Sequence, residues 1–156
     1  MYLEKIQNHL EDARALFLMG CVGKMAYSAL PPSEEQIDDA LFAPTSFWFL
    51  AMGPQGSIGL VSLQDFNPID RTAEIGVSLW PTTRGAGHGL EAAQMIRQWG
   101  IDNLNLRKTT QYILEDSPGL HLVHGMGDTL EGTLKAHRYK NGKYLDVLIY
   151  SWIRQE

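Results

Sequence analysis

The spacing of apolar residues switches between a helical period and an alternating or continuous one, and the switches predict eleven elements. Met1 to Ile6 reads as a short strand. His9 to Met19 follows as a helix, with Leu10, Ala13, Leu16 and Phe17 at helical spacing behind polar residues. A second helix starts after Pro31-Pro32, where Ser33 is a good N-cap, Glu34, Glu35 and Gln36 occupy the first turn, and Ile37, Ala40 and Leu41 form the inward stripe. Phe47 to Met52 reads as a strand, Gly53-Pro-Gln-Gly56 as a turn, and Ser57 to Gln64 as the antiparallel partner. After a turn at Asn67-Pro-Ile-Asp70, Thr72 to Leu79 is the next strand. A helix covers Leu90 to Trp99, with Asn103-Leu-Asn105 marking its end, and Lys108 to Leu114 is a β-branched strand. Ser117-Pro118 starts a short helix, and two strands around the Asn141-Gly142 turn close the chain. The order β-α-α-β-β-β-α-β-α-β-β describes a mixed α/β fold in one domain over residues 1–156, with no internal repeat or low-complexity segment.

At 156 residues the chain is long enough for a proper core without metal or disulfide support. Its formal net charge of −5, with a pI near 5.5, and its lack of a Lys/Arg-rich stretch argue against duplex nucleic-acid binding. An amine or other cationic substrate suits this balance better. The single cysteine, Cys21, has no partner for an internal disulfide, and its apolar setting between Phe17 and Val22 predicts a buried small hydrophobe rather than a reactive thiol. With no charged-then-apolar leader and no long apolar span, the expectation is a soluble cytoplasmic protein without membrane contact.

The chemistry concentrates at Glu74-Ile-Gly-Val-Ser-Leu-Trp80-Pro-Thr-Thr-Arg84-Gly-Ala-Gly-His-Gly89, where an extended strand stops at a proline and a glycine-rich turn opens a helix. Three glycines let the backbone approach an anion closely, and the free N–H groups of the first helical turn, aided by the helix dipole, donate to it. Arg84 adds a permanent charge at the same point. Glycines at 85, 87 and 89 do not fit the dinucleotide spacing, and the Gly-Lys-Ser/Thr of a nucleoside-triphosphate loop is missing.

Arg84-Gly-Ala-Gly87-His-Gly89 fits Arg/Gln-x-x-Gly-x-Gly/Ala, and in its strand–proline–turn–helix setting the sequence resembles the GCN5-related N-acetyltransferases. Independently, Leu130 to Tyr150 looks like the C-terminal strand pair of the ribosomal-protein and spermidine acetyltransferase branch; the two together cover roughly residues 55 to 156. The resemblance implies a central, mostly antiparallel sheet of six or seven strands flanked by about four helices. Strands four and five would splay into a V-shaped cleft that takes the pantetheine arm of acetyl-CoA like a missing strand. It further implies that the backbone of Arg84, Gly85, Ala86, Gly87, His88 and Gly89 binds the coenzyme A pyrophosphate, with His88 at the rim. The main chain of Val77, Ser78 and Leu79 would pair with the pantetheine amides.

Acetyl transfer to an amine needs an unprotonated nucleophile, a polarised thioester carbonyl and a proton for the departing thiolate. An alkylamine has a pKa near 10, so a base or water chain must deprotonate it. Glu74 matches the position where related enzymes carry a glutamate acting directly or through water; the bland alternative is a solvated strand carboxylate. Downstream, many relatives show Asn-x-x-Ser/Ala-x-x-x-Tyr-x-x-x-Gly-Phe, with the tyrosine as general acid. Here those positions hold Asp116, Gly119, Val123 and Asp128. Asp116 stands at the asparagine position and is expected beside the cofactor. Ser117, His121 and His124 are nearby substitutes for the acid, against a plain surface or packing role, and without a third ligand the histidines predict no metal site. Asp146 and Tyr150 match residues recurrent in the branch. Asp146 either binds the substrate ammonium or makes a structural ion pair with Arg138 or Lys140; Tyr139, Tyr144 and Tyr150 are candidates to line the cleft. Trp48, Trp80, Trp99 and Trp152 read as core or interface anchors.

The sequence reading is an acetyl-CoA-dependent N-acetyltransferase working by direct attack of a free amine, without metal, on a protein N-terminus, a lysine, a polyamine or another small amine. The alternative is a non-catalytic acetyl-CoA-binding or regulatory protein of the same fold, favoured by the altered Asp116–Asp128 segment. A different donor such as succinyl-CoA would require a roomier or basic acyl pocket. Homodimerisation is common in the branch, and the aromatic C-terminal strand suits it.

Overall fold

The computed structural model describes residues 1–24 and 31–155, with the backbone alone for residues 21–24. It contains β1 (Tyr2–Lys5), α1 (Leu10–Lys24), α2 (Glu34–Leu41), β2 (Phe47–Gly53), β3 (Gly56–Asn67) and β4 (Thr72–Leu79). Then follow α3 (His88–Leu104), β5 (Lys108–Leu114), α4 (Gly119–Gly125), β6 (Thr129–Lys140) and β7 (Lys143–Ile153), with short 3-10 turns at Ile6–Asn8 and Pro81–Thr83. The order is the one the apolar pattern predicts. The Cys21 side chain, expected to be buried, lies outside the described residues.

Element bounds follow local chemistry. Ser33 closes a capping box on α2: its Oγ accepts from the Gln36 amide at 3.2 Å and its own N–H donates to Gln36 Oε1 at 2.9 Å. Helix α3 extends past Trp99 to Leu104, because Gly100 lets it lie flat on the core. A Cβ there would stand 2.5 Å from Leu63 Cδ1. Asn105, in the left-handed region at φ 51°, ends it. Strand β3 continues beyond the expected Gln64 through a bulge between Gln64 and Asn67, where Asp65 has φ 51°.

The seven strands form one sheet in the order β1-β2-β3-β4-β5-β7-β6, with every neighbouring pair antiparallel except β4 and β5. These two pair only from Thr72–Lys108 to Glu74–Thr110, although β4 runs on to Leu79 and β5 to Leu114. The strands therefore part after Glu74, which is the expected V.

On one face, α3 packs Ala92, Ala93 and Ile96 against Ala51, Val61, Leu63, Ala73 and Ile75. On the other, α1 and α2 bury Ala13, Leu16, Ile37 and Leu41 against Leu50, Met52 and Leu60. The arm beyond β5 has a smaller cluster of Leu114, Leu145 and Val147. The tryptophans act as anchors: Trp99 packs on Phe47 and Phe49, Trp48 on Phe17, and Trp152 under Arg97, while the Trp80 indole N–H donates to Ser57 Oγ at 2.9 Å. No helix among the described residues is long and apolar enough to cross a membrane.

Candidate active site

Strand alternation sorts β4 into two sets. Ala73, Ile75, Val77 and Leu79 pack toward α3, and Glu74, Gly76 and Ser78 take the opposite face. Ser78 Oγ donates to the Leu16 carbonyl of α1 at 2.9 Å, so its side chain is committed to the helix and only its backbone serves the cleft. From Ile75 to Leu79 the strand pairs with β3 alone. Its other edge presents backbone N–H and C=O groups of the kind an extended, amide-bearing chain can pair with.

The chain then turns through Pro81–Thr83, held down by Thr83 Oγ1, which bonds the carbonyls of Ile58 at 2.7 Å and Trp80 at 3.0 Å. Trp80 is tied through Ser57 to Asp12 of α1, at 2.9 and 2.7 Å. Gly85 and Gly87 both have φ +83°, a conformation glycine adopts without steric cost, and a Cβ on either would meet no atom within 4 Å. The result is an open cradle at the N-terminus of the 17-residue α3, whose first amides have no carbonyl one turn earlier to bind. Gly87 is the N-cap and His88 the first helical residue. Arg84 Nε donates to the Leu79 carbonyl at 3.2 Å, which keeps the guanidinium beside the loop. A Gly87→Val protein is expected to lose several degrees of melting temperature, because a β-branched residue is strained at φ +83°, and to bind a pyrophosphate-bearing ligand at the cradle about tenfold more weakly, an effect of about 1.4 kcal/mol. Calorimetric titration checks this.

Glu74 stands at the crotch of the V, paired to Gln64 on one side and to Thr110 on the other. Burial, seconded by the nearby Asp65 charge, raises its pKa from 4.5 to about 7. Its surroundings are polar without neutralising it. Gln64 Nε2 donates to Ser62 Oγ at 2.9 Å and lies over Gly76, where a Cβ would come within 2.5 Å of that nitrogen. A half-buried carboxyl poised near neutrality at the fork is a competent general base. Ser62, Gln64 and Asp65 carry no recognisable motif; only the β3–β4 register brings them to Glu74. Tyr112 likewise escapes sequence reading. It lies two residues beyond Thr110 on the β5 arm, on the face of Glu74, and is half exposed.

The residues expected to replace the acid are distributed otherwise. Val123, at the tyrosine position, is fully buried. His124 turns the other way: its Nε2 lies 3.0 Å from the Tyr150 hydroxyl, with the rings edge-to-face at 5.5 Å. Tyr150 belongs to β7, which β5 separates from the cleft. His124, itself exposed, and the buried Tyr150 thus form a hydrogen-bonded pair between α4 and β7. His121 is exposed on α4. Ser117 Oγ accepts the Gly119 amide at 3.1 Å, starting α4 and leaving its hydroxyl hydrogen to donate.

Asp116 pairs with Lys140 at 3.0 Å in a partly exposed ion pair. Asp146 is engaged by β6. One carboxylate oxygen accepts from Lys135 Nζ at 2.7 Å and the other from the Ala136 amide at 2.8 Å, so it closes the β6 bulge where Ala136 has φ 47°. The Lys135 hydrogen bond, then that amide, hold its carboxyl below the ordinary range. Lys140 pairs instead with Asp116, and each Asp146 oxygen keeps a lone pair beyond the bond it accepts. Tyr139 and Tyr144 are exposed and stack edge-to-face on each other near the hairpin tip.

Asp128, where relatives show phenylalanine, accepts both oxygens' worth of hydrogen bonds from Arg97 Nη2, at 2.7 and 2.9 Å, and a third from Gln111 Nε2 at 2.7 Å. Arg97 also lies 4.9 Å over the Trp152 ring. At this position the chain thus carries a buried ion pair.

Residues 2–119 match the family model described as an acetyltransferase (GNAT) domain. A curated relative, a spermidine N(1)-acetyltransferase of Escherichia coli, is 30% identical over 93 residues, covering 58% of this chain and 49% of that protein. The chain spans about half the length of the curated relatives it matches. Among solved structures, a mutant spermidine N-acetyltransferase from Vibrio cholerae superposes with a TM-score of 0.81 at 25% identity, covering 98% of this chain and 95% of that one. A complex of the Vibrio cholerae spermidine N-acetyltransferase with CoA and spermine gives a TM-score of 0.84 at 23% identity, covering 97% and 94%, a likeness of fold.

Proposed function

Because the chain belongs to the acetyltransferase (GNAT) family, we propose that it transfers the acetyl group of acetyl-CoA to a primary amine. The observation that carries this reading is Glu74, a carboxyl with pKa about 7 at the fork of a cleft whose β4 edge is open to an amide-bearing chain and whose mouth is a glycine cradle. Glu74 takes a proton from the arriving ammonium, directly or through water. The freed amine attacks the thioester carbon, the carbonyl oxygen is polarised by a backbone N–H near Val77, and the carbon–sulfur bond breaks. The thiolate recovers a proton from water or from Ser117.

Polyamines are the favoured acceptor class. The relatives named above act on spermidine, the chain is net acidic, and Asp65 places a second negative charge beside Glu74. Substrate identity transfers poorly within a fold, so a protein N-terminus or another small amine stays in the test. The non-catalytic reading is favoured by one observation: Val123 fills the tyrosine position and His124 faces β7. Free-thiol release from acetyl-CoA separates the two. Turnover with a polyamine, and none with amino acids or N-terminal peptides, establishes the enzyme and its acceptor class. Coenzyme A binding without thiol release for any amine establishes the binding protein.

A further inference from the structure

The cleft has two arms that share little. Strands β1–β4 with α1–α3 form one; β5–β7 with α4 form the other, and between β4 and β5 only three residue pairs hydrogen-bond before the strands part. Helix α3, which carries the glycine cradle at its N-terminus, lies on the β4 arm through Ala92, Ala93 and Ile96. Gln111 is the first residue of β5 beyond the fork. Its amide nitrogen donates to Asp128 at 2.7 Å, and Asp128 receives Arg97 of α3 through two further bonds, all three side chains buried. Arg97 is backed by Trp152 of β7.

We propose that Gln111, Asp128 and Arg97 are positioning residues that set the width of the cofactor cleft, by fastening the β5 arm at the fork to the helix that binds the cofactor's pyrophosphate. This rests on the acetyl-CoA reading above. The apolar contacts that also join the arms, Leu122 and Met126 of α4 against the α3 cluster, tolerate sliding by tenths of an ångström. A charge-assisted pair with a bidentate acceptor does not, since each bond fixes both distance and direction. The extended arm of coenzyme A pairs with β4 on one side and is flanked by β5 on the other, so the span between the arms decides how well it fits.

Gln111→Met keeps the side-chain volume and the Arg97–Asp128 pair but releases β5. Leu50→Ala, in β2 two strands from the cleft, serves as a control that lowers stability without touching the tie. Coenzyme A affinity by titration calorimetry and melting temperature are measured for both beside the wild type. Gln111→Met is expected to weaken coenzyme A binding about tenfold, while Leu50→Ala, at an equal or larger loss in melting temperature, binds as the wild type does. Equal affinity of Gln111→Met and wild type overturns the proposal, as does a loss of affinity that simply follows melting temperature in both variants. A wild-type protein that binds no coenzyme A overturns the acetyltransferase reading itself and this one with it.

Discussion

Replacing Glu74 with glutamine is expected to lower kcat roughly 10²–10⁴-fold, the contribution typical of a positioned general base, while making the protein more stable above neutral pH. The two effects share one cause. Burial holds the folded carboxyl near pKa 7, against 4.5 at its ordinary value. Between those pH values the folded state holds more proton than the unfolded state does. Stability therefore falls as pH rises through that window, and the whole penalty, at most about 3 kcal/mol, is in place above pH 7. Glutamine never ionises and escapes it. Melting temperatures of Glu74→Gln and wild type should coincide near pH 4 and separate by several degrees at pH 8. Wild-type kcat/KM, for its part, should climb with pH through about 7 as the base ionises. A stability gain without a rate loss would leave Glu74 a buried strand carboxyl and remove it from the mechanism.

Truncating Asp128 to alanine is expected to cost about 3–5 kcal/mol, because it strands the buried Arg97 cation with only an aromatic ring for company. That is the largest loss expected from a single side chain outside the apolar core. Burial already pulls the Arg97 guanidinium below its ordinary value, and the Asp128 hydrogen bond is what opposes the pull. Much of the cost lies in the unpaired charge rather than in the pair's net worth, so Arg97→Met with Asp128→Leu should recover that part, with the buried Gln111 amide, left without its acceptor, as the remaining loss. Denaturant melts of the two singles and the double decide this: additive losses would mean that the pair is not coupled.

Some features are local and were legible in the chain. The Ser33 cap, the glycine cradle and the β4 and β5 limits follow from residues a few positions apart. The cradle in particular requires φ +83° at Gly85 and Gly87, a backbone state written directly into residue type. The place of Glu74 at the head of the strand before that cradle is likewise a matter of order along the chain.

Its pKa is not, because burial and the Asp65 charge come from the β3 bulge packed beside it. The partners of Asp146, His124, Asp116 and Asp128 were equally beyond reach. Each is chosen by how α3, α4, β5, β6 and β7 pack on one another, and Asp146 meets both Lys135 and the Ala136 amide at the bulge of β6. A one-residue change of register would reverse the faces and reassign all of them. Sequence by itself determined the elements, their order and the glycine cradle, since those depend on backbone preferences and apolar period. Tertiary structure alone decided which side chains meet and which carboxyl stays near neutral, since those depend on distance and on exclusion of water.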